Sequence, residues 1–374
     1  MLVAGCLSLL VWLVLLFARG GYWRAGQRDD GPVAGPGLWP SVVAVVPARD
    51  EAAGVARAIA SLVAQDYPGA FRIVLVDDGS SDGTADLARA AAGMSDRLEV
   101  LRGRPLAAGW TGKLWAVSQG VARAGGADYL LLTDADIEHV PGNVRSLVAR
   151  AAGGGLVLTS LMARLQCTTL PERLLVPAFV YFFQMLFPFS YVNRPGPVAA
   201  AAGGVMLIER AALERAGGIA AVRGAIIDDC AMAALMKAHG PIRLLLTDRA
   251  LSLRPYRSVG EIGAMIARSA YAQLRYSPLL LAGTLFGLAV VFVAPPVATL
   301  CGSGAARIAG AAGWLLMALS FQPMLRFYRR SPLWGVALPL IAMVYAWYTL
   351  VSAVQVWRGA GGQWKGRAQA LVQP

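Results

Sequence analysis

The sequence predicts an α/β domain with a mostly parallel β-sheet and helices on both faces, joined to N-terminal and C-terminal transmembrane helices. Between residues 42 and 133, short apolar runs alternate with segments of helical spacing, which is the pattern of βαβ units. Long apolar runs stand near both ends of the 374-residue chain, in which 57% of residues are apolar and only 15% are charged. Such a composition is too apolar for an ordinary soluble protein.

The predicted α/β domain covers residues 41–257. Strands are expected where a short apolar run is bounded by turn residues, and helices where apolar residues recur with a period near 3.6. On this basis the strands are 42–46, 72–76, 98–101, 129–133, 156–162 and 205–208, and the helices are 52–65, 84–92, 111–124 and 228–239.

The N-terminal segment, residues 1–19, is predicted to be a membrane anchor. It has neither a basic start nor a cleavage site of small residues, which argues against a cleaved signal peptide. Arg19, Arg24 and Arg28 follow the apolar run and place the next segment on the cytoplasmic side by the positive-inside rule. Residues 20–40 are rich in Gly and Pro and are predicted to be a linker.

The remaining apolar segments differ in character. Residues 171–192 contain Pro177 and Pro188 and are predicted to lie at the membrane interface, with a buried core helix as the alternative. Residues 258–278 form an amphipathic link. The membrane helices, within 279–356, are expected at 279–300, 308–324 and 333–356, each near the roughly 20 residues that cross a bilayer.

The sequence leaves the topology of the C-terminal segments open. Pro295 and Pro296 predict a kinked or re-entrant first segment. If all three segments cross, the cluster at 326–330 is cytoplasmic. The basic tail, 357–374, with Arg358 and Lys365, would then lie on the opposite side, against the same rule.

Composition also excludes several kinds of site. The net charge of +12 fits contact with anionic lipid, and without a stacking motif it gives no support for nucleic acid binding. The four cysteines are scattered, so they form neither a zinc pattern nor a disulfide framework. With only two histidines in the chain, a multi-histidine metal site is impossible.

Asp134 and Asp136 follow directly after the apolar run 129–133. Ligand sites of open α/β sheets lie beyond the carboxyl ends of strands. If the extended backbone continues, residues two apart point the same way, and both carboxylates could face one cation such as Mg²⁺, whose other ligands are substrate phosphates. The alternative is an ordinary acidic turn.

A second acidic segment, 77–84, follows the strand 72–76. Asp78 could accept a hydrogen bond from an imide N–H of a nucleobase, with its neighbour near the ribose. Thr84 could cap the next helix, and the alternative to the nucleotide role is only such a cap and a turn. Pro47, Ala48 and Glu51, which follow the first strand, could frame the same base.

Two further candidates lie at predicted helix starts. Lys113 ends a loop that is not a Walker A motif, since Leu114 stands where Ser or Thr is required. It could neutralise a diphosphate or be an ordinary surface lysine. Asp228 and Asp229 begin a helix, where acids favour the dipole. In this apolar stretch Asp229 could instead have a raised pKa and act as a general base.

Taken in their order along the chain, these five segments resemble those of the inverting family 2 glycosyltransferases, which have a GT-A fold. The resemblance implies that Asp78 binds the base, that Glu51 is the glutamate of the first motif, and that Asp50 replaces an Asn there. It also implies the following roles: Asp134 and Asp136 for the metal and diphosphate, with Asp136 the more direct ligand; Asp229 for the catalytic base, with Asp228 replacing a Glu; and Gly203 and Gly204 for the acceptor loop.

A later Gln-x-x-Arg-Trp box of the family is degenerate here. Arg268 and Arg275 lie in its region without matching its register, which argues against a processive polysaccharide synthase. The segments 107–113, 133–138 and 271–279 resemble the hopanoid-associated glycosyltransferases of bacteria. The resemblance implies a nucleotide sugar (a UDP-sugar) as donor, a lipid acceptor, Mg²⁺ or Mn²⁺ as cofactor, and an inner membrane location with a cytoplasmic catalytic domain.

Two other functions remain open from the residues. A polyprenyl-phosphate sugar synthase would transfer the sugar to a phosphate that is already ionised and needs no base. A membrane scaffold that binds nucleotide sugars without turnover would be expected to lack the acids, and here all of them are present.

Overall fold

The computed structural model describes residues 1–359 together with the backbone of 363–364 and 367–368. Lys365 and most of the predicted basic tail therefore lie outside the described residues. The chain forms two compact units. The sheet unit contains Gln27–Gln166 and Tyr191–Arg254, and the helical unit contains Met1–Gly26, Cys167–Ser190 and Pro255–Gly362.

The sheet unit alternates strands and helices as predicted, and most boundaries agree within about three residues. The strands are β1 (Val42–Ala48), β2 (Phe71–Asp77), β3 (Leu98–Arg102), β4 (Tyr129–Thr133), β5 (Ile137–His139), β6 (Leu158–Arg164), β7 (Val205–Glu209) and β8 (Ile242–Ser252). Helices α1 to α9 are Leu2–Ala18, Val55–Val63, Thr84–Ala92, Gly112–Arg123, Asn143–Gly154, Leu170–Leu186, Phe189–Val192, Arg210–Arg215 and Asp228–Lys237, and of these α1, α6 and α7 fall wholly or partly in the helical unit.

The eight strands form one mixed sheet in the order β3-β2-β1-β4-β7-β6-β8-β5. The neighbours among β3, β2, β1 and β4 are parallel, whereas β7 is antiparallel to both β4 and β6. This confirms the predicted α/β class. The register pairs Ala48 with Asp77 and Val45 with Leu132, so the carboxyl ends of β1, β2 and β4 meet at one edge. The predicted acidic segments therefore emerge side by side.

Burial explains why the central strands form where they do. All seven residues of β1 are buried, and a strand covered on both faces needs such a continuous apolar run. Helix α4 packs against β1 and β2 through Gly120. A Cβ atom at Gly120 would lie 2.4 Å from Cγ1 of Val45 and 3.2 Å from Cγ2 of Val76. Glycine therefore allows helix and sheet to approach closely.

Two strands were not predicted, and part of the segment 20–40, which was predicted to be a linker, makes contacts with β8. Strand β5 has only three residues, and β8 carries Asp248 and Arg249 within its span, so neither shows a clean apolar run. Within the sheet unit, the backbone N–H of Asp29 donates to the carbonyl of Leu246 at 3.0 Å, and its carboxylate accepts from Thr247 at 2.8 Å. This part of the segment pairs with β8.

Among the residues that the structure describes, three helices of the helical unit are apolar and long enough to cross a membrane: Pro278–Cys301, Gly304–Phe327 and Leu338–Trp357. The N-terminal helix α1 is apolar but shorter, with 17 residues. The other helices of this unit are α10 (Val259–Ala267), α11 (Ala270–Gln273), α12 (Pro278–Leu288), α13 (Ala294–Cys301), α14 (Gly304–Phe327) and α15 (Leu338–Trp357).

The prolines of the first C-terminal segment do not end its helix. A π-helical turn, Ala289–Val293, joins α12 to α13 directly before Pro295 and Pro296. Such a turn accommodates the missing backbone donors of proline and bends the helix.

At the start of α6, Thr169 and Glu172 form a capping box, and Glu172 also accepts from the N–H of Tyr256 at 2.7 Å.

Replacing Gly120 with Val should destabilise the sheet unit, because the new side chain would overlap Val45 on a fully buried strand. Overpacking of this kind costs about 1–3 kcal/mol, so the thermal unfolding temperature of the full chain in detergent should fall by several degrees. Gly126→Val is the matched control, since a Cβ atom there meets nothing within 4 Å. Equal melting of the two variants would contradict the packing described.

Candidate active site

Five of the predicted site residues come together where β1 and β4 end and where α4 and α9 begin. One pocket there is lined by Pro47, Lys113, Asp134, Gly203 and Asp228, among others. These residues come from five separate segments of the sequence. The site is therefore a product of the sheet topology rather than of one continuous motif.

Lys113 links two of the acidic segments. Its Nζ lies 3.0 Å from Oδ1 of Asp134 and 3.2 Å from Oδ2 of Asp228. Burial lowers the pKa of Lys113, but the two carboxylates outweigh this effect and leave the pKa raised. The side chain is only 19% exposed. Lys113 is therefore a fixed positive charge within the pocket, and the alternative of a free surface lysine is wrong.

Asp229 is held by backbone donors on both oxygens. Its Oδ2 accepts from the N–H of Gly203 at 3.0 Å, and its Oδ1 accepts from the N–H of Cys230 at 2.7 Å. Burial and the neighbouring Asp228 carboxylate raise the pKa of Asp229 to about 6. A carboxylate in this state is ionised at neutral pH and is a stronger proton acceptor than an ordinary aspartate.

Gly203 matters because a side chain there would crowd the same groups. A Cβ atom would lie 3.4 Å from both Asp229 Oδ2 and Lys113 Nζ. Gly204 is similarly close to Ile137, at 3.2 Å. The two glycines therefore let the loop before β7 approach the charged residues.

The prediction that extended backbone continues through Asp134 and Asp136 is wrong, although the two carboxylates do influence each other. The extended backbone stops at Thr133, and the N–H of Ile137 donates to the carbonyl of Asp134 at 3.2 Å, which closes a turn. Burial, with added repulsion from Asp134 and Glu51, raises the pKa of Asp136 to about 6. The turn, not strand alternation, places the acids near each other.

These acids fit a cation that takes most of its ligands from a substrate. Among the described residues, no group of three or more His, Cys, Asp or Glu side chains is arranged to hold a metal ion. Asp134 also pairs with Lys113. Mg²⁺ commonly binds one or two protein carboxylates and completes its shell with phosphate oxygens and water. Asp136 and Asp134 can supply the carboxylates.

The segment predicted to bind a base is built around Asp78, which is only 2% exposed. Its backbone N–H donates to the carbonyl of Ala48 at 2.8 Å. The guanidinium of Arg49 donates to the carbonyl of Asp78 and lies 3.8 Å from its carboxylate. Arg49 was missed from the sequence, where a single arginine after a strand gives no distinctive signal.

Asp50 connects the first motif to the same segment. It has a φ of +50°, a conformation that Asn and Asp adopt more readily than most residues. Its Oδ1 accepts from the N–H of Ser81 at 2.8 Å. Because this contact uses only an acceptor oxygen, Asp can replace the Asn of the family motif here.

The prediction that Thr84 caps α3 is wrong. The N-cap is Gly83, and Thr84 is the first helical residue. Its hydroxyl accepts from the N–H of Glu51 at 2.8 Å and donates to Asp82 at 2.5 Å. Thr84 therefore supports the loop that carries Glu51, beside the residues predicted to contact the base.

Arg268 and Arg275 lie elsewhere in the chain, in the helical unit. Both side chains are exposed, and Arg275 follows α11 with a φ of +52°. Neither lines the pocket of the sheet unit. Their predicted acceptor role is not tested by the geometry of either unit.

Comparison with known proteins agrees with this architecture. Residues 43–217 match the family described as glycosyl transferase family 2. The succinoglycan biosynthesis protein ExoU of Rhizobium meliloti is 43% identical over 61 residues, which are 16% of this chain and 17% of that protein. The matched region thus spans less than a fifth of that relative.

Two solved structures resemble this chain to different degrees. The mannosyltransferase PcManGT from Pyrobaculum calidifontis, in complex with GDP-Man and Mn²⁺, has a TM-score of 0.51 and 21% identity, covering 95% of this chain and 99% of that one. Glucosyl-3-phosphoglycerate synthase from Mycobacterium tuberculosis has a TM-score of 0.41 and 21% identity, covering 63% and 79%. Residues 43–217 are thus similar to a glycosyltransferase family 2 domain, and the fold is GT-A-like.

Proposed function

We propose that the protein is a membrane-bound inverting glycosyltransferase. It transfers a sugar from a nucleotide sugar, a UDP-sugar, to a lipid acceptor such as a hopanoid, with the catalytic domain on the cytoplasmic side of the bacterial inner membrane. The observation that carries this proposal is the Lys113 bridge between Asp134 and Asp228, next to the doubly held Asp229. A positive charge for a leaving diphosphate would then lie next to a base for an acceptor, because Gly203 is close to both Lys113 and Asp229.

Lys113 supports departure of the diphosphate. Breaking the sugar–phosphate bond places negative charge on the leaving group, and a fixed ammonium held in a partly buried pocket stabilises that charge without having to reorganise. Before the donor binds, the carboxylates of Asp134 and Asp228 balance the positive charge of the Lys113 ammonium. The donor therefore enters a pocket in which the lysine is already oriented.

Asp229 removes the proton of the acceptor hydroxyl. Its two backbone donors fix the carboxylate plane, and its raised pKa matches the demands of general base catalysis, a role that contributes about 10²- to 10⁴-fold in rate. With a single base on the face opposite the leaving group, the reaction inverts the configuration at the sugar carbon.

Asp136 and Asp134 would hold a divalent cation, Mg²⁺ or Mn²⁺, together with the donor diphosphate. When bound, the cation neutralises charge that develops on the leaving phosphate oxygens. The solved mannosyltransferase with a similar fold contains Mn²⁺ and GDP-Man. In this chain, Asp78 and the loop of Pro47, Ala48 and Glu51 would receive the base.

A lipid acceptor is supported by three helices of membrane-spanning length in the same chain. Incubating membranes that contain the protein with a panel of labelled nucleotide sugars, followed by lipid extraction, tests the proposal. Label in a lipid, dependent on the protein, is the expected result. No labelled lipid with any donor would contradict it.

Asp229→Asn should retain nucleotide-sugar binding and lose transfer, since Asn keeps the size of the side chain but is not a base. The loss should be at least about 10²-fold in kcat, measured beside donor affinity by calorimetry. Asp86→Asn is the control, because Asp86 is 88% exposed on α3. Full turnover by Asp229→Asn would favour an ionised phosphate acceptor, as in a polyprenyl-phosphate sugar synthase.

Transfer should also depend on pH through Asp229. The residue acts as a base only when ionised, and its pKa is raised to about 6. The rate should therefore be nearly constant between pH 7 and 8 and decrease about tenfold per unit below pH 6. A profile of kcat against pH checks this, and an acidic limb near pH 4 would show that Asp229 is not the titrating group.

Asp136→Asn should weaken binding of the donor in the presence of the cation, while leaving weak cation-independent binding unchanged. Titrating the donor with Mg²⁺, with Mn²⁺ and with a chelator separates the two contributions. Asp86→Asn is again the control for a lost surface charge. The same metal dependence in Asp136→Asn and wild type would exclude Asp136 as a ligand.

A further inference from the structure

A chain of buried polar groups leads from α5 to the glycine loop, residues 202–204. Asn143 Nδ2 lies 2.7 Å from Nδ1 of His139, and Nε2 of His139 lies 3.0 Å from the hydroxyl of Thr133. The Thr133 hydroxyl donates to the carbonyl of Gly204 at 2.8 Å. Asn143, His139 and Thr133 are each at most 3% exposed, so water does not compete for these contacts.

The last acceptor fixes the direction of every hydrogen bond in this chain. The carbonyl of Gly204 can only accept, so the Thr133 hydroxyl donates its one proton to that carbonyl and must accept a hydrogen bond from His139. His139 therefore carries its proton on Nε2, and its Nδ1 accepts from Asn143. Burial lowers the pKa of His139 to about 4, which keeps the ring neutral and preserves this single-proton state at working pH.

A second buried hydroxyl holds the same loop at its other end. Ser160 accepts from the N–H of Ala202 at 2.8 Å and donates to the carbonyl of Ala202 at 3.1 Å. The N–H of Asp134 adds a longer bond to the Gly204 carbonyl, at 3.3 Å. Between these anchors, the N–H of Gly203 is left to donate to Asp229.

We propose that Thr133 and His139 are positioning residues for the transfer reaction. They hold the Gly204 carbonyl so that the N–H of Gly203 points at Asp229, the base in the proposed function. This inference rests on the proposed function. Neither residue needs to touch the sugar or the acceptor for this role, which is exerted through Gly203 and Asp229.

Thr133→Val and Thr133→Ser form a matched pair, because Val keeps the shape of Thr without its hydroxyl and Ser keeps the hydroxyl. The Val variant should lose about tenfold or more in kcat, which is part of the roughly 10²- to 10⁴-fold that a general base contributes, with the donor KM unchanged. The Ser variant should restore most of the rate. His139→Phe, which does not line the pocket, should lower kcat in the same direction.

Hydrogen–deuterium exchange of the full chain separates this inference from the proposed function. Peptides that cover 201–207 should exchange faster in Thr133→Val than in wild type or Thr133→Ser. If wild type transfers no sugar but exchange changes in this way, the proposed function fails and the anchoring of the loop stands. Unchanged exchange, or a Val variant with wild-type kcat, would overturn the positioning role.

Independent contacts within the helical unit bear on the side of the membrane at which α15 ends. Nε1 of Trp357 donates to the Tyr271 hydroxyl at 3.3 Å, and their rings pack edge to face at 5.8 Å. The N–H of Tyr271 donates to the Ser352 hydroxyl at 3.0 Å. The last turns of α15 therefore lie against α11, the segment that leads into α12.

The segment that precedes α15 lies alongside α14 rather than beyond its far end. Gln322 donates to the carbonyl of Pro332 at 3.1 Å, and Trp314 donates to the carbonyl of Val336 at 3.1 Å. Thus the chain that leaves α14 first turns back along that helix. It reaches the level of Trp314 before α15 starts.

Helices α13 and α14 form an antiparallel hairpin. A Cβ atom at Gly310 would lie 2.8 Å from Cβ of Ala298, and one at Gly313 would lie 3.7 Å from Pro295. We infer that α12–α13 and α14 cross the bilayer and return, whereas the segment from Ser331 to α15 enters and leaves on one side. Arg358 and Gly359, which follow Trp357, then share the side of the 258–278 link.

This arrangement removes the charge conflict found in the sequence. Arg358 comes to lie on the same side as the cluster at 326–330, as the positive-inside rule requires. Basic residues near a membrane are attracted to anionic lipid, so the leaflet on this side is expected to be anionic.

Single cysteines in a background lacking Cys6, Cys167, Cys230 and Cys301 test this inference by labelling with a membrane-impermeant maleimide in inverted vesicles. Ser269→Cys marks the link, Ser303→Cys marks the turn between α13 and α14, and Gln363→Cys marks the tail. The tail should label together with the link and opposite to the turn. A tail that labels together with the turn would show that α15 crosses.

Discussion

The ammonium of Lys113 is the constraint on which the rest of the site depends. It pairs with Asp134 after β4 and with Asp228 at the start of α9, two segments that the chain separates by three strands. Without it, three neighbouring carboxylates would repel each other in a partly buried pocket. A single ammonium therefore holds the acids together, and in the proposed reaction it would also supply the charge that a leaving diphosphate requires.

The sheet makes this assembly possible. Parallel neighbours place their carboxyl ends at one edge, and the close approach at Gly120 sets α4, and with it Lys113, against β1 and β2. Antiparallel β7 then brings the glycine loop to the end of β4. The mixed topology thus delivers a positive group, a backbone donor and the acids to one place.

Much of this fold could be predicted because the central strands are continuous apolar runs and their ends carry charge. The prediction was less successful where charges interrupt a strand, as at Asp248 in β8, or where a turn replaces extended backbone, as at Asp136. Roles that depend on tertiary neighbours had no local signal. Arg49 and Thr84 acquire partners from distant segments, and periodicity carries no information about such contacts.

The π-helical turn between α12 and α13 has a geometric effect on the helical unit. A π turn acts as one inserted residue, and one residue rotates a helix face by about 100°. The apolar surface before the turn thus faces α15, and the surface after it faces α1 and α14. One continuous apolar segment can therefore serve two packing partners on different sides, and removing a single residue from 289–293 would bring the two faces into phase and leave one partner without its contact.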